Sequence, residues 1–150
     1  MKSDAVLPAG VPRPLPLPDG LDAEYWAATR RHEVVAQRCV GCRGWQWSPE
    51  YICHRCHSFD LTFEPVPGPA RLFSWQRVWH PVHPALGDAC PYVVVLVEFP
   101  EADGIRMLGN LVGDPTAEIE IGTWVEPAFE DHDEADPPYT LVQWSRSSSR

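Results

Sequence analysis

Two cysteine pairs, Cys39-Val-Gly-Cys42 and Cys53-His-Arg-Cys56, constrain this chain more than any other feature, because four thiolates so close in sequence can close round one metal ion. A two-residue gap lets both sulfurs of a pair turn toward one point, and the backbone N–H groups of the tight knuckle offset part of the thiolate charge. Gly41 relaxes the first knuckle sterically. The connector has ten residues, with Trp45, Trp47 and Pro49 among them. That is shorter than the roughly fifteen to twenty of the general pattern, yet long enough for a two-stranded excursion. The reading is a zinc ribbon with a structural Zn2+ held by Cys39, Cys42, Cys53 and Cys56. Iron in a four-cysteine site has the same spacing, and His54 or His57 could each replace a neighbouring cysteine, although four thiolates already complete a tetrahedron.

Other uses of paired cysteines fit less well. A disulfide scaffold belongs to a secreted chain, and Met1-Lys2-Ser3-Asp4 leads into prolines rather than the apolar run of a signal peptide, so a reducing, cytoplasmic setting is expected. Thioredoxin-like chemistry needs one pair opening a helix after a strand, whereas these pairs sit among Trp, Pro and Gly. Cys90 stands apart at the mouth of an apolar strand and reads as a small buried residue rather than a nucleophile.

The ribbon accounts for only part of 150 residues, so a further core is needed outside it, and removal of the metal is expected to unfold the ribbon while sparing much of that core. Twelve Lys and Arg against 21 Asp and Glu give a net charge of -9, which repels a phosphate backbone and disfavours nucleic-acid binding. The longest apolar run, Val93 to Val97, is far short of the roughly eighteen residues of a membrane span.

Taken in order, the chain opens with a proline-rich arm over 1–18, where Pro8, Pro12, Pro14, Pro16 and Pro18 enforce extended backbone. It reads equally as a disordered leader or as a polyproline segment laid on a partner. Asp19 or Asp22 can cap a short helix reaching about Arg31, with Arg30 and Arg31 at its negative end. After the ribbon, which closes a unit over 19–66, the run Pro65 to Pro69 marks a boundary. A strand follows over 71–79, with Phe73, Trp75, Arg77 and Trp79 on one face. Strands over 91–99 and 105–112 form a hairpin, and two more over 123–129 and 139–144 flank the acidic stretch Glu130 to Asp136, expected to stay solvated. Five strands over 67–145 fit a small closed barrel, and 146–150 reads as a disordered tail.

The order of the aromatic helix, the two CxxC pairs, Pro91-Tyr92 before a Val-rich strand, Leu108-Gly-Asn-Leu-Val-Gly-Asp-Pro115 and Ile121-Gly-Thr-Trp-Val125 resembles an acyl-CoA-associated family. That family joins an N-terminal rubredoxin-like zinc ribbon to a C-terminal OB-fold, and the likeness covers roughly residues 21–130. It implies a mainly β fold: a short helix and zinc ribbon, then a five-stranded OB-fold barrel. It also implies a hetero-oligomer with a thiolase-like, lipid-transfer-type protein, an acyl-CoA substrate met through that partner, and a place in lipid or steroid catabolism beside an aldolase or a hydratase. The four cysteines carry over as ligands, and no residue of this chain is assigned a catalytic role.

The residues agree on that last point. His80 and His83, in Trp79-His-Pro-Val-His-Pro84, lack an accompanying nucleophile, and four thiolates leave zinc no open position for water. His80, His83 and Tyr92 are at most linings of a substrate channel. A freestanding acyl-CoA binder would need a basic patch, for which Arg71, Arg77 and Arg106 are the barrel's candidates; a nucleic-acid module rests on fold analogy alone. Partner binding is placed on Tyr25 and Trp26, assisted by Trp75 and Trp79, because two adjacent aromatics about 100° apart on a short helix exceed what a small ribbon covers.

Overall fold

In the computed structural model, residues 14–17 and 19–147 are described; most of the proline arm and the last three residues of the tail lie outside them. Helix α1 (Ala23–Thr29) ends one turn's fraction short of the expected Arg31. Asp22 precedes it, but its carboxylate accepts the Trp26 Nε1–H at 2.8 Å rather than a backbone N–H, so the expected side-chain cap is not made. Arg31 donates to the Ala27 carbonyl at 3.0 Å, as a cation at a helix C-terminus should. Arg30 turns away instead, donating to Thr140 Oγ1 at 3.1 Å and pairing with Asp133 at 2.9 Å.

The ribbon is a three-stranded antiparallel sheet, β1 (Val35–Cys39), β2 (Trp45–Gln46) and β3 (Leu61–Pro65), with β1 in the middle. The barrel follows as β4 (Ala70–Val78), β5 (Tyr92–Phe99), β6 (Ile105–Asn110), β7 (Trp124–His132) and β8 (Tyr139–Arg146), hydrogen-bonded in the order β6-β5-β4-β7-β8. A parallel bridge between Leu111 and Trp144 closes the ring, reinforced by Val112 N–H to the Trp144 carbonyl at 2.7 Å and Asn110 N–H to Gln143 Oε1 at 2.7 Å. Closure at this seam depends on Gly109, where a Cβ would lie 2.7 Å from the Trp144 ring and 2.9 Å from the Val142 carbonyl oxygen.

Three expectations change. The register of β4 against β5 slips between Leu72 and Ser74, so Phe73 is the extra residue of a bulge. The single face expected for Phe73, Trp75, Arg77 and Trp79 is thereby broken: Phe73 is 40% exposed, while Trp75 lies opposite the fully buried Val95 and packs against the core. The acidic stretch is not all solvated, because β7 runs on to His132 and buries Glu130 and His132. Their polar atoms are partnered locally: His132 Nε2 lies 2.9 Å from Glu130 Oε1, and Gln143 donates to Glu130 Oε2 at 2.9 Å. Cys90 is only half-buried.

The ribbon and barrel do not have separate cores. Ala36 and Trp45 of the ribbon belong to one buried cluster with Leu72, Val95, Val97 and Trp144 of the barrel, and Tyr25, Val34 and Trp47 pack against it. Polar contacts pin the same junction: Asp103, in the β5–β6 turn, accepts the Trp45 N–H at 2.8 Å and pairs with Arg55 at 3.3 Å. His32 stacks on Phe129 at 4.7 Å and reaches Asp131 at 3.0 Å. The Asp131 carboxyl is held below its ordinary range, chiefly by the Thr140 hydroxyl and then by His32 and Arg30.

Candidate functional site

The two cysteine pairs form near-superimposable knuckles. In the first, Cys39 N–H bonds the Gly44 carbonyl at 2.9 Å and Arg43 N–H returns to the Cys39 carbonyl at 2.9 Å; in the second, Cys53 N–H bonds Ser58 at 2.8 Å and His57 N–H returns to Cys53 at 2.9 Å. Arg43 and His57, each directly after the second cysteine of its pair, take positive φ of 60° and 61° to make these turns. His57 is thus placed by its backbone, and His54 by its N–H to Gln46 Oε1; neither is part of the ligand cluster. The four sulfurs all lie within 4.8 Å of one another, with Cys39 to Cys56 at 3.5 Å and Cys42 to Cys53 at 3.6 Å. A tetrahedral zinc with Zn–S near 2.3 Å requires sulfurs about 3.8 Å apart, so the donors fit.

Backbone N–H groups favour the thiolate at Cys39 and Cys53. The Cys53 thiol is lowered to about 6, first by the backbone N–H of Cys56 and then by that of Arg55, and Cys39 is lowered chiefly by the N–H of Cys42. At Cys56 the Ser58 N–H pulls the pKa down, but three neighbouring sulfurs and burial outweigh it and push it up to about 11. Four thiolates cannot share this space without a cation, and zinc supplies it, acting as structural metal with no open coordination position.

The residues expected to meet a partner fall in different places. Tyr25 packs edge-on to Trp26 at 5.2 Å and against Trp47 at 4.8 Å, and burial, with the Asp22 charge, pushes its phenol up to about 12. Trp26 borders an open apolar cavity of about 470 Å³ with Leu15, Leu17, Tyr139 and Leu141. It also borders a second cavity of about 340 Å³, of mixed lining, with Val94, Leu108, Asn110 and Gln143. Trp75 faces the barrel core, and Trp79, 57% exposed, stands beyond the end of β4. His80 and His83 are exposed in the β4–β5 connection, where His83 Nδ1 accepts the Ala85 N–H at 3.2 Å and so caps the short 3-10 helix Pro84–Ala89. Tyr92 is half-buried opposite Val78, and none of these three lines the cavities beside Trp26.

Residues 26–62 match the family description "ChsH2, rubredoxin-like zinc ribbon domain", and residues 63–130 match "ChsH2, C-terminal OB-fold domain". This chain belongs to the ChsH2 family. A solved structure described as "Ltp2-ChsH2(DUF35) aldolase" superposes with a TM-score of 0.72 at 35% identity, covering 89% of this chain and 98% of that one. A DUF35 protein of unknown function from Sulfolobus solfataricus shares the fold at a TM-score of 0.58 and 10% identity, over 86% of this chain and 87% of its own. The ChsH2 chain is 38% identical over 129 residues to a Thermomonospora curvata protein named "probable enoyl-CoA hydratase alpha subunit", covering 86% of this chain and 38% of that protein. It is 28% identical over 150 residues to the Mycobacterium tuberculosis "3-oxo-4,17-pregnadiene-20-carboxyl-CoA hydratase alpha subunit", covering 91% of this chain and 45% of that protein. It therefore spans less than half the length of these two curated relatives.

One arrangement in this ChsH2-family barrel escaped sequence reasoning. Arg71 and Arg106 both pair with Glu98, at 2.7 and 3.2 Å, and Arg77 donates to the carbonyls of Pro115 and Ala117 at 2.6 and 2.7 Å. The three guanidiniums considered as phosphate ligands are thus already engaged. Glu98 is held below its usual range, first by the Arg71 hydrogen bond. Only strand register reveals the pairing: Glu98 stands opposite Arg71 on one side and Arg106 on the other.

Proposed function

We propose that this chain is a non-catalytic accessory subunit of a thiolase-like enzyme acting on acyl-CoA thioesters, and that the enzyme is an aldolase cleaving a hydroxyacyl-CoA in steroid side-chain catabolism. The observation that carries this reading is the likeness to the Ltp2-ChsH2(DUF35) aldolase at 35% identity across 98% of the matched chain. The site chemistry supports it. A metal closed by four sulfurs has no position for water or substrate, and Trp26 borders both an open apolar cavity and a second, mixed one lined in part by Asn110 and Gln143. In this reading acid and base for the retro-aldol step come from the partner. His80, His83 and Tyr92, where β4 ends and β5 begins, at most line the substrate passage, and four reduced thiols suit a cytoplasmic complex.

The test is to co-express the chain with a thiolase-like protein from the same genome, purify the complex and assay retro-aldol cleavage of hydroxyacyl-CoA substrates. Cleavage by the complex with none by the chain alone is expected. Turnover by the isolated chain, lost on substitution of His80 or His83, would overturn the reading. A second reading, part of a hydratase alpha subunit, is supported by the 38% identity to the Thermomonospora curvata protein. The product separates the two: water addition leaves the carbon count of the CoA thioester unchanged, and aldol cleavage shortens it. A freestanding acyl-CoA binder is disfavoured because Arg77 is spent on the Pro115 and Ala117 carbonyls and Glu98 offsets one of the charges of Arg71 and Arg106, which leaves a single excess positive charge for a nucleotide bearing several phosphates.

A further inference from the structure

Strand register places Trp124, Arg71, Glu98 and Arg106 in one row across the outward face of β7, β4, β5 and β6. The Glu98 side chain is only 11% exposed, while those of Arg71 and Arg106 are 48% and 44% exposed. Two cations against one anion leave this trio at +1 on a chain whose net charge is -9, with the cationic side outward. The neighbouring row is apolar but for Ser74. Leu96 lies between Ser74 and Leu108, and Phe73 bulges out beside them beneath Arg106, whose guanidinium carbon is 3.5 Å from the ring centroid. Leu108 is 69% exposed and also lines the cavity it shares with Tyr25 and Trp26. A continuous strip therefore runs from the helix over Leu108 to Phe73 and ends at the two arginines.

Resting on the accessory-subunit reading above, we propose that the thiolase-like partner covers this strip, and that a carboxylate of the partner, flanked by apolar side chains, completes the Arg71–Glu98–Arg106 trio. Covering Leu108 and Phe73 takes both guanidiniums out of water. One carboxylate cannot neutralise two of them, and an uncompensated buried charge is strongly unfavourable, so the covering surface must bring an anion. An acidic protein surface fits better than a nucleic acid, because an excess of one positive charge on so acidic a chain is too little to hold a phosphate backbone.

The test uses the assembled complex. Lys2 is the chain's only lysine, so Arg106→Lys introduces one amine at a known place, and a zero-length carbodiimide couples it only to a touching carboxylate. Mass spectrometry is expected to find Lys at position 106 joined to an Asp or Glu of the partner. Arg106→Gln and Arg71→Gln should each weaken assembly about tenfold and flatten its salt dependence, with zinc content and melting temperature retained. If coupling reached only Glu98 and both Gln variants assembled normally, this inference would fall while the accessory-subunit reading stood. Failure of the wild-type chain to assemble with any thiolase-like protein would remove both.

Discussion

Removing the metal should destabilise the barrel as well as the ribbon, and Cys42→Ala is the sharpest way to show it. Cys42 is exposed, so its loss opens no cavity and acts through the metal site. Without zinc the two knuckles lose the ion that neutralises four sulfurs, and ligand binding and folding are coupled in such sites. If the ribbon were an independent appendage, the barrel would keep its stability. Here Trp45, 5% exposed, and Ala36, fully buried, belong to the barrel's own hydrophobic cluster, and Asp103 of the barrel holds the Trp45 N–H. Withdrawal of one buried Trp from a core costs about 3–5 kcal/mol. For a chain of this size each kcal/mol shifts the midpoint by about 2–4 °C, so the barrel should melt roughly 6–20 °C lower. The assay is thermal unfolding of the Cys42→Ala protein, with hydrogen exchange at Val95 and Val97 reporting the barrel alone. Unchanged protection at these two strand positions, with the ribbon unfolded, would refute the shared-core argument.

Further outcomes follow from the same contacts. Trp26→Ala should weaken assembly with the partner by about 2 kcal/mol, some thirtyfold, at unchanged zinc content; affinity by calorimetry beside elemental analysis checks it, and an unfolded monomer with normal affinity would assign the helix to core packing. Tyr25 is raised from 10.0 to about 12, so the unfolded chain gives up its proton first and stability should fall as pH rises through that window. Urea midpoints at pH 9 and 11 should differ less in Tyr25→Phe than in wild type. Gly109→Ala should cost at least about 1–3 kcal/mol, because its Cβ meets both the Trp144 ring and a backbone carbonyl; a denaturant midpoint equal to wild type would mean that the seam can open without cost.

Local chemistry makes part of this protein readable in one dimension. The CxxC pairs need only their own two-residue gaps to form knuckles, so the gathering of Cys39, Cys42, Cys53 and Cys56 into one cluster is anticipated by their spacing. Alternating and Val-rich runs locate the five barrel strands to within a few residues, because period and burial are short-range properties. What depends on partners distant in sequence is not readable. The bulge at Phe73 reverses which β4 residues face inward, and it exists only because β5 sets the register. Glu130 and His132 read as solvated charges until β8, through Gln143 and Tyr139, lies alongside to match them. The Arg71–Glu98–Arg106 row joins residues up to 35 positions apart (106 − 71), and the shared core joins Trp45 to Trp144. Chain-local patterns specify knuckles and strands, whereas faces, charge partners and the union of ribbon with barrel are decided by long-range pairing, which only the tertiary structure contains.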